Sequence, residues 1–418
     1  MSVEKTFRPL TAIACGGTGG HLFPGLAVGE QLLARGCDVT LLISPKEVDQ
    51  QAVQSLRDMT VVTLPAVGLV RGRLGEFLSS MVKSYRAART LFRQRPPHAV
   101  LAMGGFTSAP PILAGRSCGA STFLHESNAI PGRANRWLAH AVTQAFVGFP
   151  AAAARLHHHN ILCTGTPVRP QFQPGDTGAC RMSLGLDARR PVLLVMGGSQ
   201  GAVAINDLVL TALPALAAAL PELQFIHLAG PADAEKVQVA YSQRGIRAIV
   251  QPFLTEMEFA LGAATAAVSR CGGSSLAEFA AMRVPAVLVP FPAAADNHQF
   301  HNAEIFVEAG AAFLLKQRTA TSEQLTSLVR RLVTDAALRA SMVAALERWD
   351  TPHAAGLIAE RIVATVEALS RGAWRRPSDA RHDEIESLRM PRSHRNVAFR
   401  PLAVNLAAHP CAAMTVDH

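Results

Sequence analysis

A histidine directly follows a glycine-rich turn near the start of the chain. The apolar run Leu10–Ala14 leads into Gly16-Gly-Thr-Gly-Gly20, then His21, and an amphipathic segment continues to Gly36. This order predicts a strand, a tight loop and a helix whose first backbone N–H groups attract anions. A histidine at this place can take or give a proton near neutral pH. The alternative is a structural histidine that only holds the glycine loop.

Three polar segments in the second half of the chain each follow an apolar run. They are Gly197–Gly201, Arg270–Glu278 and Pro290–Gln299. Because ligands of open α/β sheets bind beyond the carboxyl ends of the strands, we expect these segments to meet at one site. Backbone amides suit a diphosphate, Glu278 suits ribose hydroxyls and the third segment suits a sugar, so together they predict a nucleotide-sugar pocket. Alone, Glu278 could equally serve the helix dipole.

Other nucleotide and metal motifs do not fit. No Lys-Ser or Lys-Thr follows either glycine loop, which excludes a Walker loop. Asp38 precedes the next strand instead of ending it, which disfavours a dinucleotide site. The seven cysteines stand singly and indicate a reducing compartment without a zinc site. We interpret His157–His159 as a solvated loop, and no metal or other cofactor is expected.

The elements that carry these motifs alternate between strands and helices. This alternation predicts an α/β protein, and 418 residues exceed what one core holds. Three prolines within Thr166–Gly175 indicate a linker. We therefore expect two Rossmann-like domains, 1–166 and 167–347, with parallel sheets facing across a cleft. A helix at 348–370 is expected to return to the first domain, and 371–418 to be a poorly ordered basic tail.

Composition limits the function classes. A content of 49% hydrophobic and 17% charged residues is typical of a soluble, well-buried protein. The longest uncharged apolar run, Leu208–Leu220, is interrupted by Pro214 and is too short to span a membrane. Net charge is +9, yet no basic motif interleaved with aromatic residues is present, so nucleic acid is not an expected partner.

Several motifs occur together in one order and spacing. They are Gly16–Gly25, Met103–Phe106, His125–Gly132, Gly165–Arg169, Gly197–Gly201 and Asp296–Gln299. In this combination the chain resembles the MurG family of peptidoglycan N-acetylglucosaminyltransferases, which have the GT-B fold, over about residues 8–368. The resemblance implies inverting transfer of N-acetylglucosamine from UDP-GlcNAc to the muramoyl 4-hydroxyl of lipid I (undecaprenyl-pyrophosphoryl-MurNAc-pentapeptide). The product would be lipid II, for cell-wall synthesis, cell shape and division.

The same resemblance implies roles for individual residues. His21 is the first candidate for the catalytic base and Glu126 the second, while Arg169 would stabilise the departing UDP. His125 is assigned to the acceptor side, although it could be a buried core histidine. The remaining acceptor-side residues are Gly104, Gly105 and Phe106. The donor contacts would be Thr18, Gly19, Gly20, Asn128, Arg169, Ser199, Leu254, Glu278 and Gln299.

A lipid acceptor also requires a membrane surface. Apolar residues recur at helical spacing after Arg73, among basic residues, as in helices that lie in a membrane interface. The alternative is an ordinary helix that packs on the sheet. We expect a peripheral protein at the cytoplasmic face of the bacterial inner membrane, with other cell-wall and division proteins as possible partners. The expected membrane contacts are Leu74, Phe77, Leu78, Met81 and Lys83.

Two other readings of the sequence stay open. One is a related GT-B enzyme, such as a diacylglycerol glucosyltransferase or a UDP-sugar epimerase. The other is a non-catalytic nucleotide-binding or scaffold protein. An epimerase would act without an acceptor, whereas a scaffold would be expected to lose His21, Glu278 or Gln299. All three are present.

Overall fold

The computed structural model describes residues 8–17, 19–54, 56–65, 74–198 and 202–370. Residues 1–363 form one compact unit, and every contact discussed below lies within it. The second unit is 364–418, of which 364–370 belong to the last helix. The predicted tail at 371–418 lies outside the described residues.

The first half of the chain forms a seven-stranded parallel sheet with strand order β3-β2-β1-β4-β5-β6-β7. The chain reverses direction across the sheet between β1 and β4, so the crevice where ligands of such sheets bind lies beyond these two strands. The strands are β1 Leu10–Ala14, β2 Asp38–Ile43, β3 Thr60–Thr63, β4 Ala99–Ala102, β5 Ser121–Glu126, β6 Gln144–Val147 and β7 Ile161–Cys163.

The second half forms a six-stranded parallel sheet with order β10-β9-β8-β11-β12-β13. Its reversal point lies between β8 and β11, which end before the glycine segments at 197 and 272. The strands are β8 Val192–Met196, β9 Gln224–Leu228, β10 Ala248–Gln251, β11 Ala266–Ser269, β12 Ala286–Leu288 and β13 Ala312–Leu314. The prediction of two parallel-sheet α/β domains is confirmed, although β7 and β13 were not expected.

Helices cover both faces of each sheet. In β8, Val192 and Leu194 join one hydrophobic cluster, whereas Leu193 and Val195 join the cluster on the opposite face, as expected for a strand buried on both sides. The helices are α1 Gly19–Ala34, α2 Glu47–Val53, α3 Leu74–Gln94, α4 Ala109–Ser117, α5 Arg133–Leu138, α6 Pro150–Leu156, α7 Thr177–Ser183, α8 Val203–Ala219, α9 Ala234–Ser242, α10 Met257–Ala263, α11 Gly273–Met282, α12 His298–Glu308, α13 Ser322–Thr334, α14 Ala336–Glu347 and α15 Ala354–Ser370.

Side chains of α12 join the two sheet regions. The carboxamide of Asn302 is fully buried; it accepts from the Ala129 N–H at 2.8 Å and donates to the Cys271 carbonyl at 2.9 Å. The ring of Phe306 packs against Phe149 at 6.3 Å between centroids. These contacts hold the loop after β5 against the loop after β11, where the candidate site lies. The domain bounds given above stay a prediction.

Candidate active site

The first glycine loop rests on a buried carboxylate that the sequence analysis missed. Asp49, on α2, is fully buried, and its Oδ2 accepts hydrogen bonds from the Gly17 N–H at 2.7 Å and the Ser44 hydroxyl at 2.6 Å. A carboxylate therefore already occupies the Gly17 amide, and its negative charge repels a second anion. Its partners lie in the loops after β1 and β2, and only the fold brings the Gly17 loop to Asp49.

His21 lies against the glycine pair after β4. Gly104 and Gly105 have φ of 118° and 75°, and a Cβ built on Gly104 would lie 2.7 Å from the His21 Cε1. Only glycine fits here, because both the backbone conformation and the ring's proximity exclude a side chain. Burial lowers the pKa of His21, and the negative charge of Glu126 opposes this effect. The ring is therefore a neutral imidazole that can accept a proton.

Glu126, the second candidate for the base, is fully engaged as a structural acceptor. Its Oε1 accepts from the Asn128 backbone and side chain, both at 2.9 Å, and its Oε2 from the Gly132 N–H at 2.8 Å and Asn135 at 2.9 Å. Four donors saturate the carboxylate and leave it no lone pair in position for an acceptor hydroxyl. In this arrangement Glu126 shapes the loop that carries Asn128, and its assignment as the second candidate for the base stays a prediction.

His125 is a core histidine. Its side chain is completely buried, Nε2 donates to the Gly165 carbonyl at 3.0 Å, and Nδ1 accepts from the Ser127 hydroxyl at 3.3 Å. Because a carbonyl only accepts, Nε2 carries a hydrogen, and in the neutral ring Nδ1 is then the acceptor for the Ser127 hydroxyl. Burial lowers the pKa of His125 to about 4. The ring is closed in beneath the loop, as in the alternative of a buried core histidine, and its assignment to the acceptor side stays a prediction.

Three other predicted residues lie near the first loop. Gly19 and Gly20 are the first two residues of α1, with Gly19 buried and Gly20 exposed. Phe106 is exposed beside the ring of Phe77, at 5.6 Å between centroids. The predicted donor contacts Thr18 and Ser199 lie outside the described residues.

Asn128 links the first sheet region to the second. Its Oδ1 accepts from Asn302 at 2.9 Å while its amide group donates to Glu126. Both ends of the carboxamide are thus fixed, which places the predicted donor contact at the junction of the two sheet regions. Asn302 was not among the predicted residues, since nothing in its own segment distinguishes it from a core position on α12.

The predicted donor residues of the second half surround the loops after β11 and β12. Gln299, in the first turn of α12, accepts at Oε1 from the Phe291 N–H at 2.9 Å and the Cys271 N–H at 3.4 Å, so its amide group points away from both loops. Leu254 is half-buried against the core of the second sheet. Glu278 lies in the second turn of α11, a helix whose N-cap Gly272 makes no side-chain cap hydrogen bond.

The charges around Glu278 connect it to the linker. Burial raises the pKa of Glu278 to about 7, the carboxylate of Glu258 acts in the same direction, and the guanidinium of Arg169 opposes both. Two predicted donor contacts, Glu278 and Arg169, therefore feel one another's charge. The positive charge that His298, the neighbour of Gln299, carries when protonated lowers the pKa of His21 further.

Metal binding finds no support in the described part of the chain, where no three His, Cys, Asp or Glu side chains are grouped to hold an ion. His158 of the histidine run instead bonds to backbone carbonyls, with Nε2 at 3.2 Å from that of Val142.

The helix predicted to contact the membrane is α3, and only part of its apolar stripe is accessible. Phe77 is 8% exposed and packs inward, whereas Leu78 and Val82 are 54% and 48% exposed. Lys83 is exposed and Met81 is half-buried; of the Leu74 side chain nothing is described. The ring of Phe77 packs beside that of Phe106, and the assignment of Phe77 to the membrane stays a prediction. Within the described ranges, no helix has the length and apolar character to cross a membrane.

Comparison with known proteins decides the family. Residues 11–147 match the glycosyltransferase family 28 N-terminal domain and residues 192–355 its C-terminal domain. A relative from Xanthomonas euvesicatoria pv. vesicatoria is 39% identical over 360 residues, which cover 85% of this chain and 81% of the relative. A relative from Acidithiobacillus ferrooxidans is 38% identical, covering 83% and 95%. Both are named UDP-N-acetylglucosamine–N-acetylmuramyl-(pentapeptide) pyrophosphoryl-undecaprenol N-acetylglucosamine transferase.

The chain belongs to the MurG family. Acinetobacter baumannii MurG superposes with a TM-score of 0.63 at 27% identity, covering 86% of this chain and all of that one. A UDP-N-acetylglucosamine 2-epimerase from Listeria monocytogenes has a TM-score of 0.64 at only 16% identity, which shows the shared fold alone. The predicted resemblance to the MurG family, and with it the GT-B fold, is confirmed.

Proposed function

We propose that this member of the MurG family transfers N-acetylglucosamine from UDP-GlcNAc to the 4-hydroxyl of the muramoyl sugar of lipid I, with inversion. The product is lipid II, the precursor for peptidoglycan synthesis. The observation that carries the proposal is the half-buried ring of His21 against Gly104, beyond the reversal point of the first sheet. The second sheet region carries groups suited to a nucleotide sugar, so each substrate has its own half of the molecule.

The reaction follows from these placements. His21 takes the proton of the acceptor hydroxyl as the oxygen forms its bond to the anomeric carbon of GlcNAc. The bond between that carbon and the diphosphate breaks, and UDP leaves with the electron pair. Arg169 and the uncapped helix start at Gly272 stabilise the charge that develops on UDP. Attack from the face opposite UDP inverts the anomeric centre.

Donor recognition is assigned to both halves of the site. Glu278 accepts hydrogen bonds from the ribose, Leu254 contacts the uracil, and Gln299 uses its outward amide group for the sugar. Asn128 closes the site from the first sheet region. Gly19 and Gly20 approach the transferred sugar, and Thr18 and Ser199 complete the proposed set.

The proposed acceptor is lipid-linked, so the protein works at a membrane surface. Leu78 and Val82 supply exposed apolar contacts beside the cationic Lys83, which is the chemistry of peripheral binding to an anionic bilayer. The proposed location is the cytoplasmic face of the inner membrane. Contacts with other cell-wall and division proteins stay a prediction from the resemblance.

UDP release tests the function directly. The enzyme is incubated with UDP-GlcNAc, with or without a short-chain lipid I analogue, and UDP and the linkage of the product are measured. We expect release only with the analogue and a β-linked disaccharide product. Release without acceptor would indicate hydrolysis of the donor, and release only with diacylglycerol a glycolipid synthase. Conversion of UDP-GlcNAc to another UDP-sugar without release of UDP would indicate an epimerase, and an unchanged donor under every condition a binding protein; each would overturn the proposal.

A further inference from the structure

The guanidinium of Arg169 lies between two aromatic rings. Its Cζ is 4.6 Å from the centroid of the Phe23 ring and 5.0 Å from that of the Phe172 ring. Both distances are within the range of a cation–π interaction. The rings come from different parts of the fold: Phe23 belongs to α1, two residues after His21, whereas Phe172 follows Arg169 in the linker.

The local backbone keeps this arrangement in place. The Phe172 N–H donates to the Arg169 carbonyl at 3.1 Å, forming a tight turn that returns the ring over the guanidinium. Phe172 is only 4% exposed, whereas Phe23 is half-buried. The linker turn thus supplies one wall and the first helix supplies the other.

The contacts with the two rings leave hydrogen-bond donors of the guanidinium available. Each contact is made over the face of a ring, so it uses none of the N–H groups of the cation. Arg169 Nε is buried and has no hydrogen-bond partner among the described residues. A buried donor without a partner is unfavourable, so this one points to a ligand that completes it. The planar edge of a guanidinium matches the oxygens of a phosphate.

We propose that Phe23 and Phe172 are positioning residues that hold Arg169 between their faces and so present its edge to the diphosphate of the nucleotide. The inference rests on the proposed function, in which Arg169 stabilises the leaving UDP. It adds that this cation is held ready before the nucleotide binds, so less side-chain freedom is lost on binding. Because Phe23 shares a helix with His21, the same helix serves both the base and the leaving group.

Affinities for UDP and uridine separate a diphosphate contact from general binding. Titration calorimetry on the full chain gives both dissociation constants. The uridine constant divided by the UDP constant reports the contribution of the diphosphate alone. Phe23→Leu removes one ring face and keeps an apolar side chain; we expect UDP to bind about 3- to 10-fold more weakly, with uridine changed less than 2-fold. Phe23→Tyr, which keeps the ring, should restore the wild-type ratio. Equal weakening of both ligands, or of neither, would overturn the inference.

Two further variants make the result specific. Phe225→Leu truncates a core ring of the second sheet and should lower thermal stability without changing the ratio; if it changed the ratio as Phe23→Leu does, the effect would be structural. In an Arg169→Ala background, Phe23→Leu should add no further loss, since there is no cation to hold. An unchanged ratio in Arg169→Ala would contradict the proposed role of Arg169 itself. A lowered ratio in Arg169→Ala together with a wild-type ratio in Phe23→Leu would refute only the inference that the aromatic rings hold Arg169.

Discussion

Two of the strand–glycine–helix junctions, those after β1 and β11, look alike in sequence and differ in the group that lies at their amides. In the first, after β1, the Gly17 N–H is taken by the carboxylate of Asp49. In the second, after β11, the N-cap Gly272 of α11 makes no side-chain cap hydrogen bond, and Glu278 lies in the second turn of the helix. The comparison teaches that a glycine loop does not by itself define an anion site. The group that lies beneath its amides decides whether a phosphate can bind.

Removing the histidine of the first junction is expected to have the largest effect. His21→Gln keeps a polar side chain but cannot act as a base, so kcat should fall about 10²- to 10⁴-fold. The dissociation constant of UDP should change little, because the nucleotide belongs to the second junction. Steady-state kinetics and UDP titration on one preparation measure both. Replacing the exposed His140 with Gln is the matched control; unchanged turnover in His21→Gln would make His21 structural.

Displacing the same ring without removing it should have a smaller effect. In Gly104→Ala the new Cβ would lie 2.7 Å from the His21 Cε1, so the ring must move. A displacement of this size is expected to lower kcat roughly 10- to 100-fold.

Gly36→Ala separates the displacement from backbone strain. Gly36 also has a positive φ, 77°, but nothing lies within 4 Å of its Cβ position. The Gly36→Ala variant should be less stable than the wild type and should keep the wild-type kcat per folded molecule. If both alanine variants reduced kcat equally, the contact with His21 would be irrelevant to turnover.

A change at the second junction should alter the affinity for the donor nucleotide. Glu278→Gln is expected to weaken UDP binding roughly 10-fold at alkaline pH, since a hydrogen bond to a charged acceptor becomes one to a neutral acceptor. The pKa of Glu278 is about 7, so wild-type affinity for UDP should rise as pH increases through that value and level off above it. Titrations across this range should give a flat profile for Glu278→Gln. A pH-dependent profile of wild-type shape in the variant would assign the ionisation to another group.

Glu278 also makes folding depend on pH, in the opposite sense. Its pKa is about 7 in the folded protein against 4.5 for an ordinary glutamate, so between these values the folded state binds more protons than the unfolded state. The free energy of unfolding therefore decreases as pH rises through this window. Urea denaturation at several pH values should show this decrease in the wild type and a weaker one in Glu278→Gln.

The smallest effect is expected on the outer face of the first half. Leu78→Ser combined with Val82→Ser removes two exposed apolar side chains from α3, and binding to vesicles with anionic lipid should weaken about 3-fold. Sedimentation with vesicles measures the bound fraction. Val239→Ser, at an exposed position on α9, is the control. Equal loss in the control, or none in the double variant, would argue against membrane contact through α3.

Local sequence signals were sufficient for most of the fold. The apolar run Leu10–Ala14 matches β1 to the residue, and the run Ala266–Ser269 matches β11. The three-residue strands Ile161–Cys163 and Ala312–Leu314 were missed, because so short an edge strand has too few residues to show a pattern. The rest of the fold depends on the register and the pairing partners of the strands, which are set by contacts between distant parts of the chain.

The site was predictable in its residues but less so in their roles. Glu126 looked like a free carboxylate until its four donors came together in the loop that follows. Phe77 and Leu78 are neighbours on an apolar stripe, and only packing against Phe106 decides which one is buried. Asp49 carries no local signal at all. Each of these roles depends on how the surrounding chain folds back onto the residue, which one sequence does not reveal.

A crystal structure of the complex with UDP-GlcNAc tests the division between the two junctions most directly. The account predicts uracil beside Leu254, ribose hydroxyls on Glu278 and the diphosphate against the edge of Arg169. It also predicts that the Gly17 N–H keeps its hydrogen bond to Asp49, with the first loop facing only the transferred sugar. A diphosphate bound on the amides of Gly16–Gly20, with Asp49 displaced, would contradict the account.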